Sequence, residues 1–484
     1  MTAVSFLAFL GVFLAIGISS ARRAEGTRKD YYLASQSVPP ALVGLSAVAT
    51  NNSGYMFIGV IGYTYATGLP AIWLMLGWIL GDFLASMFIH HKIAMATSKT
   101  GTLSFSGLLS TWHGTNFALF CRVGAIVSIM FLGAYSAAQL AAGGKALHVL
   151  FGWPEATGAI IGSVIVLVYC IAGGIRASIW TDAAQSIVML FAMALLFITG
   201  IQGLGGLEGT WAKMEAVPGF TNWFPPDLLL PGFSGMLLFV VGWMFAGFSV
   251  VGQPHIMVRF MALDNPKNIV RARAYYYGFF TIFYFFANGV GMMSRIYLPH
   301  LSSLDPELAL PTIALELLPP LAVGMILAGI FAATMSTADS LILSCSAALT
   351  HDLFPKVFKS TKMVKIGTLA VTLLALAIAL NQTQSVFSLV ILSWSVMASA
   401  FAPLLLVYAL RGHPNEILSL SMMIAGVATA LIWRQFGLQE AIYEGMPGIL
   451  AGLAVFVIGE PIRRAVTVTS LTPQEETVRE QSSD

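Results

Sequence analysis

Charge is what this 484-residue chain has least of: 24 lysines and arginines and 22 aspartates and glutamates make up only 10% of it. A soluble chain of this length carries roughly 120 charged side chains, so there are too few here to cover a water-exposed surface. That deficit excludes an ordinary globular enzyme, and the 57% hydrophobic content and mean hydropathy of +0.82 agree. Cysteine is scarce as well. Cys121, Cys170 and Cys345 lie in or beside apolar stretches with no CxxC or Cys/His spacing, which argues against a disulfide framework or a zinc site. A net charge of +2 with no separate basic block gives nucleic acid nothing to bind. No nucleophile–base pair or metal cluster stands out, so the sequence reads as neither an enzyme nor the holder of an organic cofactor.

What the chain has in excess is long apolar runs. About 20 apolar residues cross a bilayer, and such windows lie near 4–20, 41–66, 71–91, 124–147, 157–174, 180–204, 233–257, 275–298, 320–349, 364–381, 386–410, 415–433 and 446–461. They predict an all-α polytopic membrane protein with about 13 transmembrane helices. The first run has no basic residue before it and several after it, which reads as a retained helix rather than a signal peptide. With the N-terminus outside, 20 of the 24 basic residues fall on the cytoplasmic side. Only Lys145, Lys213, Arg295 and Arg434 fall outside. That asymmetry is the one short loops of a multi-pass plasma-membrane protein show, and it puts the C-terminus in the cytoplasm. The longer connections are 203–232 outside, with a short helix expected, and Lys92 to Arg122 inside. The polar tail 467–484 reads as disordered. The partners expected are the lipid bilayer and a small-molecule substrate, with no obligate protein partner evident.

A polar side chain at bilayer depth is costly unless it faces a cavity, an ion or a partner, and four places have them. Thr50-Asn51-Asn52-Ser53-Gly54-Tyr55 interrupts the second window. A helix broken there frees backbone carbonyls for a cation and half-helix ends for a substrate; the alternative is an unbroken helix packed through small residues. In the ninth window, Ser336, Asp339 and Ser340 share one helical face. Their oxygens form a hard ligand set suited to Na+, against the alternative of a Ser/Thr packing seam. Trp180-Thr181-Asp182 opens the sixth window, where Asp182 is either a helix cap or a partner of that hydroxyl face. Gly252-Gln253-Pro254-His255 interrupts the seventh window at Pro254, and His255 beside Arg259 reads as structural. Gly77 with Gly81, and Gly158 with Gly162, read as helix packing. The breaks near 51 and 250 open two successive five-helix groups, as an inverted repeat predicts.

Taken together, ATNNSGYMFIG (49–59), GGIRASIWTDAAQ (173–185), GQPHIMVRFMA (252–262) and AATMSTADSLILSCSAALTHD (332–352) resemble the sodium:solute symporter family. The resemblance runs from about Tyr31 to Arg464 and is nearest the sodium/proline-symporter branch. It implies a LeuT-type core of two inverted five-helix repeats with one helix before and two after. The chain then divides into an N-terminal helix and loop (1–30), the transport core (31–412), two C-terminal helices (413–466) and the tail (467–484). It also implies Na+ as the co-transported ion. The sodium ligands carried over are backbone carbonyls of Ala49, Asn52 and Ala333 and the hydroxyls of Ser336 and Thr337. A second cation, Na+ or H+, would use Asp182, Ser336 and Ser340, with Asp339 replacing a family hydroxyl.

The sequence also departs from its resemblance. Asn51 stands where proline-transporting relatives have an aspartate. Tyr55, Ala246 and Val250 replace pocket aromatics, and only Tyr135 matches outright, which argues against proline as substrate. The pocket expected here is lined by Asn51, Ser53, Gly54, Tyr55, Tyr135, Phe248 and Gln253. The reading is Na+-coupled uptake of a small organic solute by alternating access. Its rivals are proton coupling through Asp339 or Asp182 and a transporter-like sensor, for which the short tail leaves little room.

Overall fold

The computed structural model describes residues 1–300, 305–381 and 385–469. Apart from a bridge between Val38 and Leu263, all regular structure among these residues is helical. The main helices are α1 (Thr2–Ser20), α2 (Pro40–Gly54), α3 (Ile61–Thr67), α4 (Ala71–Thr100), α5 (Ala118–Phe151), α6 (Glu155–Gly203) and α7 (Gly232–Phe248). They continue with α8 (Pro254–Met261), α9 (Ile269–Tyr297), α10 (Pro320–Ala347), α11 (Thr361–Leu380), α12 (Val386–Ala409), α13 (Glu416–Gln435) and α14 (Gly445–Thr469). Among the described residues ten helices are long and apolar enough to cross a membrane. The expected tail from 467 onward closes α14 as far as Thr469 and otherwise lies outside the described residues.

Burial sorts these helices into centre and rim. In α12 89% of the most apolar window is buried and in the α10 segment 83%, against 22% in α1. The rim helices instead expose large apolar side chains such as Phe88, Met130, Phe191 and Phe285, as lipid contact requires. Around α10 pack α5, α6, α2 and α1, and α2 also packs on α9 and α6. The glycine pairs serve close approach. A Cβ on Gly81 would fall 1.9 Å from the Met244 carbonyl oxygen of α7, and one on Gly158 2.6 Å from Gly144 Cα of α5.

The structure corrects the sequence reading in three places. Windows 157–174 and 180–204 form one 49-residue helix, bent rather than interrupted by a loop. Its bend is Gly174, at φ 55° and ψ −140°, where a Cβ would sit 2.4 Å from the Tyr31 carbonyl oxygen. Asp182 therefore lies inside α6 and caps nothing. Second, much of the Lys92–Arg122 connection is helical, because α4 continues to Thr100 and a short helix spans Phe105–Thr111. Third, two arginines assigned to loops are buried. Arg176 pairs with Asp30 at 2.5 Å and donates to the Ala34 carbonyl at 3.0 Å, while Arg259 is wholly buried. The helix expected in 203–232 is present, at Gly206–Glu215.

Candidate cation and substrate site

Thr50, Asn51, Asn52 and Ser53 are all buried at the end of α2. The break expected there falls at Ser53, whose φ of 49° and ψ of −177° lie far from the helical region. A non-glycine residue costs about 1–3 kcal/mol in such a conformation, so its surroundings must hold it. They do so by replacing helical hydrogen bonds. The Ser53 Oγ accepts from the Tyr55 N–H (3.0 Å) and from the Tyr135 hydroxyl of α5 (3.2 Å). The Gly54 N–H donates to Gln139 Oε1 of α5 (2.8 Å), and the Thr50 carbonyl accepts from the Thr337 hydroxyl of α10 (3.2 Å). Gly54 must be glycine. A Cβ there would lie 2.4 Å from Thr334 Cγ2 and 2.8 Å from Gln139 Oε1. Beyond the break the chain is wound more loosely through Tyr55–Val60 as a π-helical turn before α3 resumes.

The hydroxyl face of α10 meets this break. Ala333 and Thr337 are wholly buried and Ser336 nearly so. Several polar atoms here have no hydrogen-bond partner among the described residues: Asn51 Oδ1, both side-chain atoms of Asn52, and Ser336 Oγ. Each such buried atom costs about 1–3 kcal/mol if nothing meets it. Several on facing segments form a set of hard oxygen donors, the chemistry that fits Na+. Two of the expected ligands are already engaged: the Asn52 carbonyl accepts from the Tyr55 N–H and the Thr337 hydroxyl donates to Thr50. Ala49, on the turn before, is wholly buried.

One turn along α10 lies a second polar cluster. Ser46 donates to Asp182 Oδ2 at 2.6 Å, and Ser178 to Asp339 Oδ1 at 2.7 Å. Ser340 donates to the Ser336 carbonyl at 2.6 Å and to Asp339 Oδ1 at 3.0 Å. Through its centre runs the guanidinium of Arg259 from α8, 3.3 Å from Asp182 Oδ2 and 2.8 Å from Ser178, and also bonded to Ser340 and the His255 carbonyl. Asp182, Asp339 and Ser340 therefore do come together, around a cation that the sequence reading had assigned to a loop. With both carboxylates ionised, one guanidinium would leave one negative charge uncompensated, and among the described residues Asp182 Oδ1 and Asp339 Oδ2 have no hydrogen-bond partner. One added monovalent cation balances the cluster.

The expected pocket residues divide. Tyr55 lies 5.4 Å from the Phe387 ring and 5.6 Å from Trp78. Tyr135 meets His255 edge-on at 5.4 Å and Trp394 at 6.3 Å. Gln253, extended between α7 and α8, donates to the Trp394 and Ser249 carbonyls and so ties the second break to α12. Phe248 is only half-buried, with its ring 6.0 Å from Phe245. Trp78, Ser178, Trp394 and Phe387 escaped the sequence reading because a lone aromatic or hydroxyl in an apolar helix carries no positional signal, while Gln139, a polar amide inside an apolar window, was passed over. Asp82 did carry one, as a lone carboxylate inside an apolar window. It accepts from the Tyr276 hydroxyl at 2.6 Å, and Tyr276 in turn accepts from Asn51 Nδ2 at 2.5 Å.

Comparison with known proteins adds three findings. The sequence profile of the sodium:solute symporter family matches residues 31–426. The high-affinity proline transporter PutP of Bacillus subtilis (strain 168) is 30% identical over 457 residues, 92% of this chain and 95% of that protein. A sodium/proline symporter of Salmonella typhimurium is 28% identical, covering 96% of this chain and 93% of its own. Among solved structures, a Na+-coupled sialic acid symporter in a substrate-bound outward-open state superposes with a TM-score of 0.79 at 19% identity, covering 95% of this chain and 98% of that one. The nucleobase-cation-symport transporter Mhp1 superposes at 0.57 and 15% identity, covering 91% of this chain and 95% of that one. Those likenesses establish a shared helical fold.

Proposed function

Because this chain belongs to the sodium:solute symporter family, we propose that it is a Na+-coupled symporter carrying a small organic solute, an amino acid or small organic acid, across the plasma membrane by alternating access. The supporting observation is the helix break at Ser53 with unpartnered oxygens of Asn51, Asn52 and Ser336 beside it. Na+ held by the carbonyls of Ala49, Asn52 and Ala333 and the hydroxyls of Ser336 and Thr337 would lock α2 against α10. That locking organises a pocket on the Asn51–Tyr55 segment and Tyr135. A membrane potential supplies about 2.3 kcal/mol per charge per 100 mV. Phe248 and Gln253 complete the pocket in this proposal, although the Gln253 amide donors already serve the Trp394 and Ser249 carbonyls.

The proposed topology has thirteen crossings. The bent α6 counts as two, and α2–α3 and α9 cross in addition to the helices already identified by length and apolarity. The core is 31–412, two inverted five-helix repeats, preceded by 1–30 and followed by 413–466, with the N-terminus outside and the C-terminus in the cytoplasm. The test is uptake of labelled amino acids and small organic acids into proteoliposomes under an inward Na+ gradient, with K+ as control. Na+-stimulated uptake of at least one solute is expected; uptake equal in Na+ and K+ for every solute refutes the reading.

A second reading follows from the Asp182–Asp339–Arg259 cluster. Its single uncompensated charge is balanced equally well by a second Na+ or by a proton. Uptake driven by an imposed pH gradient without Na+ would favour the proton; a dependence on the square of the Na+ concentration would favour a second Na+.

A further inference from the structure

Asp82 is the only acidic residue of α4. It is wholly buried, it makes no ion pair among the described residues, and one of its oxygens has no hydrogen-bond partner. A buried carboxylate on lipid-facing scaffold is expensive, and its hydrogen bond with Tyr276 shows what it does. A carboxylate can only accept, and a tyrosine hydroxyl has one proton to give. Tyr276 gives that proton to Asp82 at 2.6 Å. The Tyr276 oxygen can then only accept, and what it accepts is an N–H of Asn51 at 2.5 Å. The amide of Asn51 is thereby fixed with its NH2 toward Tyr276. Its oxygen faces the other way, buried and unpartnered, two residues before the break at Ser53.

We propose that Asp82 is a positioning residue that, through Tyr276, orients the Asn51 amide so that the break presents an acceptor oxygen to a cationic ligand, Na+ or the ammonium group of the solute. Without the charge at Asp82 the chain loses its polarity. Tyr276 is then free to donate to Asn51, and the amide can turn its NH2, a donor that repels a cation, into the site. This inference rests on the symport reading for the identity of the ligand, while the direction of the hydrogen-bond chain rests on geometry alone.

The experiment uses purified full-length protein, with Na+ itself as probe and K+ holding ionic strength constant. Asp82→Asn and Tyr276→Phe should each raise the Na+ concentration giving half-maximal thermal stabilisation by roughly tenfold, the order expected for one hydrogen bond to a charged group. If the ligand is the solute's ammonium instead, Na+ affinity holds and KM for the transported solute rises by that factor. The discriminating variant is Asp82→Asn with Asn51→Asp. The amide introduced at position 82 now donates to Tyr276, whose hydroxyl donates to the carboxylate introduced at position 51. That carboxylate's second oxygen stands where Asn51 Oδ1 stood, so the reversed chain is again fully satisfied. Affinity should return to within about threefold of wild type. In K+ alone, each single variant should melt below wild type and the double variant above both. Additive losses in that ligand-free cycle overturn the relay, as does an Asp82→Asn protein with unchanged Na+ and solute affinities. A wild type with no response to Na+ refutes the symport reading instead, and the ligand-free cycle still decides the relay.

Discussion

Replacing Arg259 by methionine should destabilise the protein through charge rather than through packing. The guanidinium is wholly buried and donates to Ser178 at 2.8 Å, to Ser46 and Asp182 at 3.3 Å, and to Ser340 and the His255 carbonyl. Methionine keeps much of the side-chain volume but leaves Asp182 and Asp339 with no cation between them. Removing one partner of a buried pair costs about 3–5 kcal/mol, mostly from the charge left behind. Globular-protein scaling gives about 1 kcal/mol per degree of unfolding entropy for a chain of this length, so the melting temperature should fall by about 3–5 °C. Adding Asp182→Asn removes one of the two stranded charges, returns the cluster to its wild-type net charge, and should recover at least half of that loss. The assay is thermal unfolding followed by size-exclusion fluorescence, in K+ buffer so that Na+ does not mask the deficit. Adding Na+ should then stabilise Arg259→Met more than wild type, because its uncompensated carboxylates attract the ion. An Arg259→Met protein melting within about 1 °C of wild type, or a double variant no better than the single one, would refute the reasoning.

Three other substitutions probe the frame around the site. Gly54→Ala puts a methyl group 2.4 Å from Thr334 Cγ2; overpacking costs about 1–3 kcal/mol, and Na+-stimulated uptake should fall more than the amount of folded protein in the membrane. Gly174→Ala forces a Cβ to within 2.4 Å of the Tyr31 carbonyl at a φ of 55°, so it should straighten or destabilise the α6 bend and lower the melting temperature even with the site intact. Glu307 accepts from the N–H groups of Val386 and Phe387 at the start of α12 and pairs with Lys145 at 2.6 Å. Glu307→Ala should cost about 1–2 kcal/mol as a lost cap and should speed hydrogen exchange at those two amides selectively.

Much of the architecture was legible because bilayer physics writes it in composition. Apolar runs gave the helical class, and the polar run 50–55 gave the position of a break that the structure puts at Ser53. What stayed hidden has physical causes. Arg259 counted as a loop charge because a window average cannot tell a residue at a helix end from one turned into the core beside two carboxylates. Asp182 was readable as a cap only while Gly174 was taken to end a helix, whereas a glycine at positive φ bends α6 without stopping it. Asp82 was visible and passed over, since its role depends on Tyr276, 194 positions away. Pairings at that distance leave no trace in spacing. Ser336, Asp339 and Ser340 of α10 were singled out because they share one helical face, whereas Ala333 and Thr337 came only with the family resemblance.

The Na+ cage proposed between α2 and α10 can be tested without knowing the solute. Equilibrium binding of radiolabelled Na+ to the purified protein, wild type against Ser336→Ala with Thr337→Ala, reads it in one comparison. Saturable binding that disappears in the double variant, while the melting temperature in K+ stays near that of wild type, is the expected result. Equal Na+ affinity in the two proteins would contradict a cation site built on those hydroxyls.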